Sequence, residues 1–110
     1  MTYREDHKAV LDALLLEMPG VKAGQAFGYP AYKINKKVFC FVGGEGIACK
    51  LPAVCVTALI TQGAPYTPFE PVEGTVWREW VSIDREQSED YRDDMALLEE
   101  SVGFVTQQRK

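Results

Sequence analysis

The chain has 110 residues, 46% of them apolar and 25% charged, with a net charge of −4. That length suits one domain burying roughly two-thirds of its unfolded surface without staples, and the composition excludes a disordered, collagenous or disulfide-caged chain. The longest apolar run, residues 53–60, falls far short of the roughly 20 residues of a membrane span; residues 1–8 lack the apolar stretch of a secretory signal, and three cysteines with no C-x-x-C pair point to reduced thiols in a cytoplasmic protein.

Charge is unevenly spread. Residues 20–60 carry Lys22, Lys33, Lys36, Lys37 and Lys50 against Glu45 alone, a net +4, whereas residues 84–100 sum to −6. A basic hairpin end and an acidic C-terminal helix are expected. Such a dipole orients a charged partner only over roughly 8 Å at physiological salt.

Taken in chain order, Tyr3, His7, Val10, Leu11, Leu14 and Met18 recur at helical spacing, which predicts a helix over residues 3–18. Thr2 and Glu5 have the spacing of a capping box, and Pro19-Gly20 ends the run. His7 lies on the apolar stripe and reads as a partly buried packing residue rather than a base or ligand. Residues 21–29 read as a first strand entering a Gly-Tyr-Pro bend. Residues 31–34, an Asn35-Lys36 turn and residues 37–42 then form a hairpin; Asn suits the positive φ of a type I′ turn, Lys less so. Residues 43–46, Gly-Gly-Glu-Gly, form the next loop, with Cys40 opposite Cys49. Pro52 opens a helix over residues 53–62 that Gly63 stops. Pro65, Pro68 and Pro71 hold residues 64–72 extended, as a loop or edge strand. After a Glu73-Gly74 turn, residues 75–83 are the last strand, with Trp77, Val81 and Ile83 on one face and Arg78, Trp80 and Ser82 on the other. Residues 88–104 are a closing helix with Ser88 as N-cap. Antiparallel sheets take helices on one face and can leave the other wet. The expectation is therefore an α+β fold: an antiparallel sheet of about five strands, with the N- and C-terminal helices packed on one face.

Strand side chains alternate between faces. A constant register places Ala31, Val38, Cys40, Val42, Ile47, Cys49 and Leu51 on a dry face. It places Tyr32, Ile34, Phe39, Phe41, Ala48 and Lys50 on the other, which mixes large rings with a cation. Lys33 falls with the dry set by parity, so it must lie at an edge or the register must shift by one residue.

The runs FGYPAYKINKKVFCFV, IACKLP and PFEPVEGTVWREWVSI resemble the YjbR/MmcQ-like family, itself related to the N-terminal domain of TfoX-type competence regulators. Gly28, Pro30, Lys33, Lys37, Phe39, Lys50, Leu51, Pro52, Phe69, Pro71, Trp80 and Val81 match its pattern, and the resemblance spans roughly residues 5–105. Lys36 departs from it, standing where the family often has a turn glycine. The resemblance implies a frataxin-like α/β arrangement and a similarity to double-wing DNA-binding domains, and it carries no assigned activity.

Little in the chain points to catalysis. Nucleophilic hydrolysis needs a base beside its nucleophile, and His7 is the only histidine. Cys40 and Cys49 are expected in a dry place where thiols are inert. The glycine-rich loop joins two strands, so it lacks the helix end that cradles phosphate. Glu86, Asp90, Asp93 and Asp94 have the spacing of an acidic metal ridge, but a solvated helix face with a favourable dipole arrangement is the preferred reading. No catalytic residue, cofactor or metal is expected. The site expected is a groove bordered by Tyr32, Phe39, Lys50 and Trp80, with Lys33 and Arg78 nearby, binding an unknown protein or small anionic ligand on a monomer or weak dimer. The alternative is a nucleic-acid-associated accessory domain, since lysines interleaved with rings resemble a single-strand stacking platform. The overall acidity of the chain weighs against that alternative. A third reading leaves the aromatic face covered and purely structural.

Overall fold

The computed structural model describes residues 2–107. Helix α1 (Glu5–Leu15) leads into β1 (Val21–Ala26), β2 (Tyr29–Ile34), β3 (Lys37–Gly43) and β4 (Gly46–Lys50). Helix α2 (Ala53–Gln62), β5 (Tyr66–Pro68), β6 (Trp80–Ile83), a 3-10 helix (Ser88–Asp94) and α3 (Met95–Gln107) follow. The sheet is antiparallel throughout, with strand order β1-β2-β3-β4-β6-β5. The fold is α+β, with six strands. The extra strand comes from β5, the edge segment that Pro65 and Pro68 keep extended. Among the described residues no helix is long and apolar enough to cross a membrane.

The helices share one face of the sheet. Val10, Leu11 and Leu15 from α1, Val56 and Leu59 from α2, Tyr91 from the 3-10 helix, and Leu98 and Val105 from α3 pack on Tyr32, Cys40, Val42, Cys49, Val81 and Ile83. Full burial of each such side chain contributes roughly 1.5–3 kcal/mol. His7 is also fully buried here, edge-on to Tyr91 at 4.9 Å, and its Nε2–H donates to the Arg85 carbonyl at 3.0 Å. The predicted capping box does not form. Gly44 N–H bonds the Thr2 carbonyl at 2.9 Å and Tyr3 bridges Gly44, which holds residues 2–3 extended, so Arg4 caps α1 without a side-chain bond.

Four further expectations are corrected. Residues 21–29 are not one strand, because Phe27 and Gly28 (φ 56° and 82°) form a tight turn of their own before β2 begins at Tyr29. In the β2–β3 hairpin, Asn35 and Lys36 (φ 53° and 67°) make the expected turn, and Lys33 pairs with Val38. The register then slips by one, so Tyr32 pairs with Cys40 and Ala31 with Phe41, leaving Phe39 as a bulged residue. A bulge puts two consecutive residues against one partner, which turns Phe39 and Cys40 both toward the helices. The buried Ser101 hydroxyl of α3 donates to the Phe39 carbonyl at 3.2 Å, pinning the bulge. Tyr32 and Phe39 are consequently 1% and 0% exposed beneath helices, and they border no outer groove. Ile34 belongs with them, whereas Ala31 and Val38 face outward.

The C-terminal third also departs from the expected elements. Only residues 80–83 of the predicted 75–83 strand join the sheet. Residues 69–79 instead fold back on themselves through the Val72–Thr75 bridge and the Trp77 N–H bond to the Phe69 carbonyl at 3.1 Å, which moves Trp77 off the face of Val81. The closing helix starts as the 3-10 turn, with Gln87 as its cap position and Ser88 inside it. Asp94 therefore turns inward, fully buried, and forms a bidentate pair with Arg85 at 2.7 and 2.9 Å; Tyr66 donates to it at 3.1 Å. It does not join Asp90 and Asp93 on an acidic ridge.

Candidate ligand-binding groove

The register that buries Tyr32 and Phe39 leaves three rows of residues on the outer face of the sheet. The middle row is Gly24, Ala31, Phe41, Ala48 and Ser82. Because its other members are small, the Phe41 ring stands alone over a flat floor. The second row, on the side of the Asn35-Lys36 turn, holds Lys22, Lys33, Val38, Lys50 and Trp80. The third, toward the β3–β4 turn, holds Tyr29, Gly43, Gly46 and Asp84. Its glycines permit close approach, tightly at Gly43 and without alternative at Gly46. A Cβ on Gly43 would sit 3.2 Å from the Tyr29 ring, and one on Gly46 would run into the Asp84 carboxylate and stand 2.5 Å from the Ile83 carbonyl.

Aromatic rings gather around Phe41. Phe27 lies 5.4 Å from it, Phe69 and Trp80 each 5.5 Å, and Tyr29 stacks at 6.1 Å. Trp77 joins Phe27 at 5.6 Å and Phe69 at 5.5 Å. These separations are those of favourable edge-to-face and offset pairs. The residue 69–79 excursion thus lays Phe69 and Trp77 across part of the outer face without closing it. A groove of about 560 Å³ remains, walled by Phe27, Tyr29, Phe41, Phe69 and Trp77, floored by Ala48, and lipped by Glu70, Val72 and Asp84. A second depression of similar volume lies behind Trp77, between Arg78, Trp80 and the α2 residues Val54 and Thr57.

Phe27 is the conspicuous member. It is 55% exposed and adopts a left-handed backbone conformation that costs a bulky L-residue roughly 1–2 kcal/mol. Bulky residues held this way are outliers that cluster at functional sites.

The groove's charged members are acidic. Glu70 is partly engaged, accepting the Gly74 N–H at 2.6 Å. Asp84 holds no hydrogen bond or ion pair through its carboxylate among the described residues. Burial raises its pKa, with His7 nearby pulling it down and Glu45 adding to the rise.

Of the six residues the sequence singled out, Lys33, Lys50 and Trp80 share the outer face and Arg78 lines the second depression, while Tyr32 and Phe39 are sealed on the other side. Neither lysine lines the groove. Sequence reasoning missed Phe27, Phe69, Trp77 and Asp84 as a set. The available signal was a Phe-Gly pair bounding an alternating strand, where a turn glycine stands beside an unexpected large ring. Comparison with protein-family models, with curated proteins and with solved structures finds no match to this chain.

Proposed function

We propose that the chain is a non-catalytic cytoplasmic binding domain that works through the outer aromatic face of its sheet, receiving an apolar group in the groove over Phe41. The observation that carries this reading is the placement of Phe27, exposed and conformationally strained, as a free wall of an open, ring-lined groove whose volume suits a small ligand. The non-catalytic part is supported by the surroundings of the reactive side chains. Burial, with Arg4 adding to it, holds the imidazole of His7, on the inner side of α1, below its usual pKa. Burial pushes the Cys40 thiol well up and the Cys49 thiol up to about 12. Membership of the YjbR/MmcQ-like family is proposed on the motif residues alone; among them Lys33, Lys50, Phe69 and Trp80 surround this face.

Tryptophan fluorescence tests the reading, because Trp77 and Trp80 bound the face. A panel of small aromatic and aliphatic molecules screened by calorimetry should yield binders that also shift tryptophan emission, and Trp77→Phe should remove most of that change. Binders that leave the emission untouched would place the working surface elsewhere.

A second reading draws on the lysine row. Lys22 and Lys33 are cross-strand partners, and Lys50 lies in the same row beside Trp80, a short basic strip that could follow a nucleic-acid backbone. Such binding depends on counterion release, so it should be measurable at low salt and largely lost near 150 mM.

A further inference from the structure

We propose that the groove selects a small organic cation, an ammonium group carried on an apolar body, with the ring faces of Phe27, Phe41 and Trp77 around the apolar part and the Asp84 carboxylate at the charged end. This rests on the groove being the working site and adds the sign of the charge it accepts. It reverses the anionic ligand expected from the lysine-rich sequence.

Three observations carry the choice. First, the lining set contains the acids Glu70 and Asp84 and neither Lys nor Arg. The lysines of the outer face occupy the opposite row, across the Phe41 row from Asp84. Second, the carboxylate of Asp84, an exposed residue, lies over the Cβ-less Gly46 at the rim of the groove and is unpaired among the described residues. A carboxylate without a counter-charge at the rim of an apolar groove favours a cation in its vicinity. Third, the walls are aromatic rings, whose π faces are electron-rich. A cation over such a face gains about 0.5–2 kcal/mol, more as water is excluded, and aromatic cages hold quaternary ammonium groups in this way. The 560 Å³ volume lies within the range of small-molecule sites, about 300–1,000 Å³.

The test is calorimetric titration of the full chain with benzyltrimethylammonium, benzyl alcohol and phenylacetate, which share a ring and differ in charge. The cation should bind about tenfold tighter than phenylacetate, a difference of about 1.4 kcal/mol. Asp84→Asn should remove most of that preference while leaving benzyl alcohol unchanged. Phe27→Gly supplies a variant that keeps the turn, since glycine adopts φ 56° without strain; it should weaken the cation severalfold with no loss of thermal stability. Equal or tighter binding of phenylacetate would overturn the charge assignment and leave the groove standing. Cation binding indifferent to both substitutions would overturn it too, placing the cation on the acidic C-terminal surface. If none of the three molecules binds, the groove reading fails along with it.

Discussion

At the scale of single residues, two buried polar groups set the conditions under which the fold persists. The His7 ring is fully enclosed; Nε2–H is bonded to the Arg85 carbonyl, and Nδ1 has no partner among the described residues. Charged groups around it are Arg4, Asp6, Glu45 and Asp84, and the balance of burial and Arg4 lowers its pKa from the ordinary 6.5. The unfolded chain therefore takes up a proton near pH 6.5 before the folded chain does. Stability should be full above that pH and should fall as pH drops from there toward the lowered folded value. Urea midpoints measured between pH 8 and pH 5 should decline in the wild type and run flatter in His7→Phe; parallel profiles would show that His7 does not govern the decline. Asp94 makes the second case. Arg85→Met leaves its carboxylate buried without a counter-charge, which costs about 3–5 kcal/mol. Adding Asp94→Leu should return much of it, and a single variant with an unchanged urea midpoint would contradict the pairing.

At the scale of elements, the β2–β3 hairpin carries the main lesson. Its turn and the Cys40–Cys49 opposition are legible in the sequence, since Asn35 tolerates positive φ and the glycine-rich segment 43–46 fixes the β3–β4 register, although Gly43 and Gly46 pair within the strands and only Gly44-Glu45 form the turn. The bulge at Phe39 is not. Parity arguments assume constant register, and what breaks it here is tertiary: a hydroxyl from α3, 62 residues away in sequence, bonds the Phe39 carbonyl. Ser101→Ala should cost about 1–2 kcal/mol, the penalty for leaving a buried carbonyl without its donor. A change within measurement error would mean that the bulge holds itself. The awkward position of Lys33 under the parity rule was the sequence's own sign of a slipped register. The cysteines provide a check on the layers: Cys40 and Cys49 are buried while Cys55 is partly exposed. In the native protein a thiol reagent should modify Cys55 alone, and slowly, because its bond to Glu100 raises its pKa. Fast reaction of all three would contradict the layering.

At the scale of the whole molecule, composition and periodicity recover the layered α+β plan because they depend on which residues avoid water, a property each residue carries by itself. The groove depends on how the residue 69–79 excursion folds over the sheet, which brings Phe27, Phe41, Phe69 and Trp77 together from three separate segments. No local pattern encodes that meeting. The charge asymmetry seen along the sequence does survive in three dimensions, but it divides the outer face rather than making it uniformly basic. Lys50→Met should therefore keep stability within about 0.5 kcal/mol, as an ordinary surface change does, and should leave the groove's affinities unaltered.

We propose that the outer aromatic face, and not the helix-covered one, meets the ligand. An amide chemical-shift map of the full chain titrated with benzyltrimethylammonium tests this most directly. Saturable shifts confined to residues around Phe27, Phe41, Ala48, Trp77 and Asp84 are expected, with the amides of α1 and α3 unmoved. Shifts centred on the helices, or spread along the acidic residues 86–100 without saturation, would contradict it.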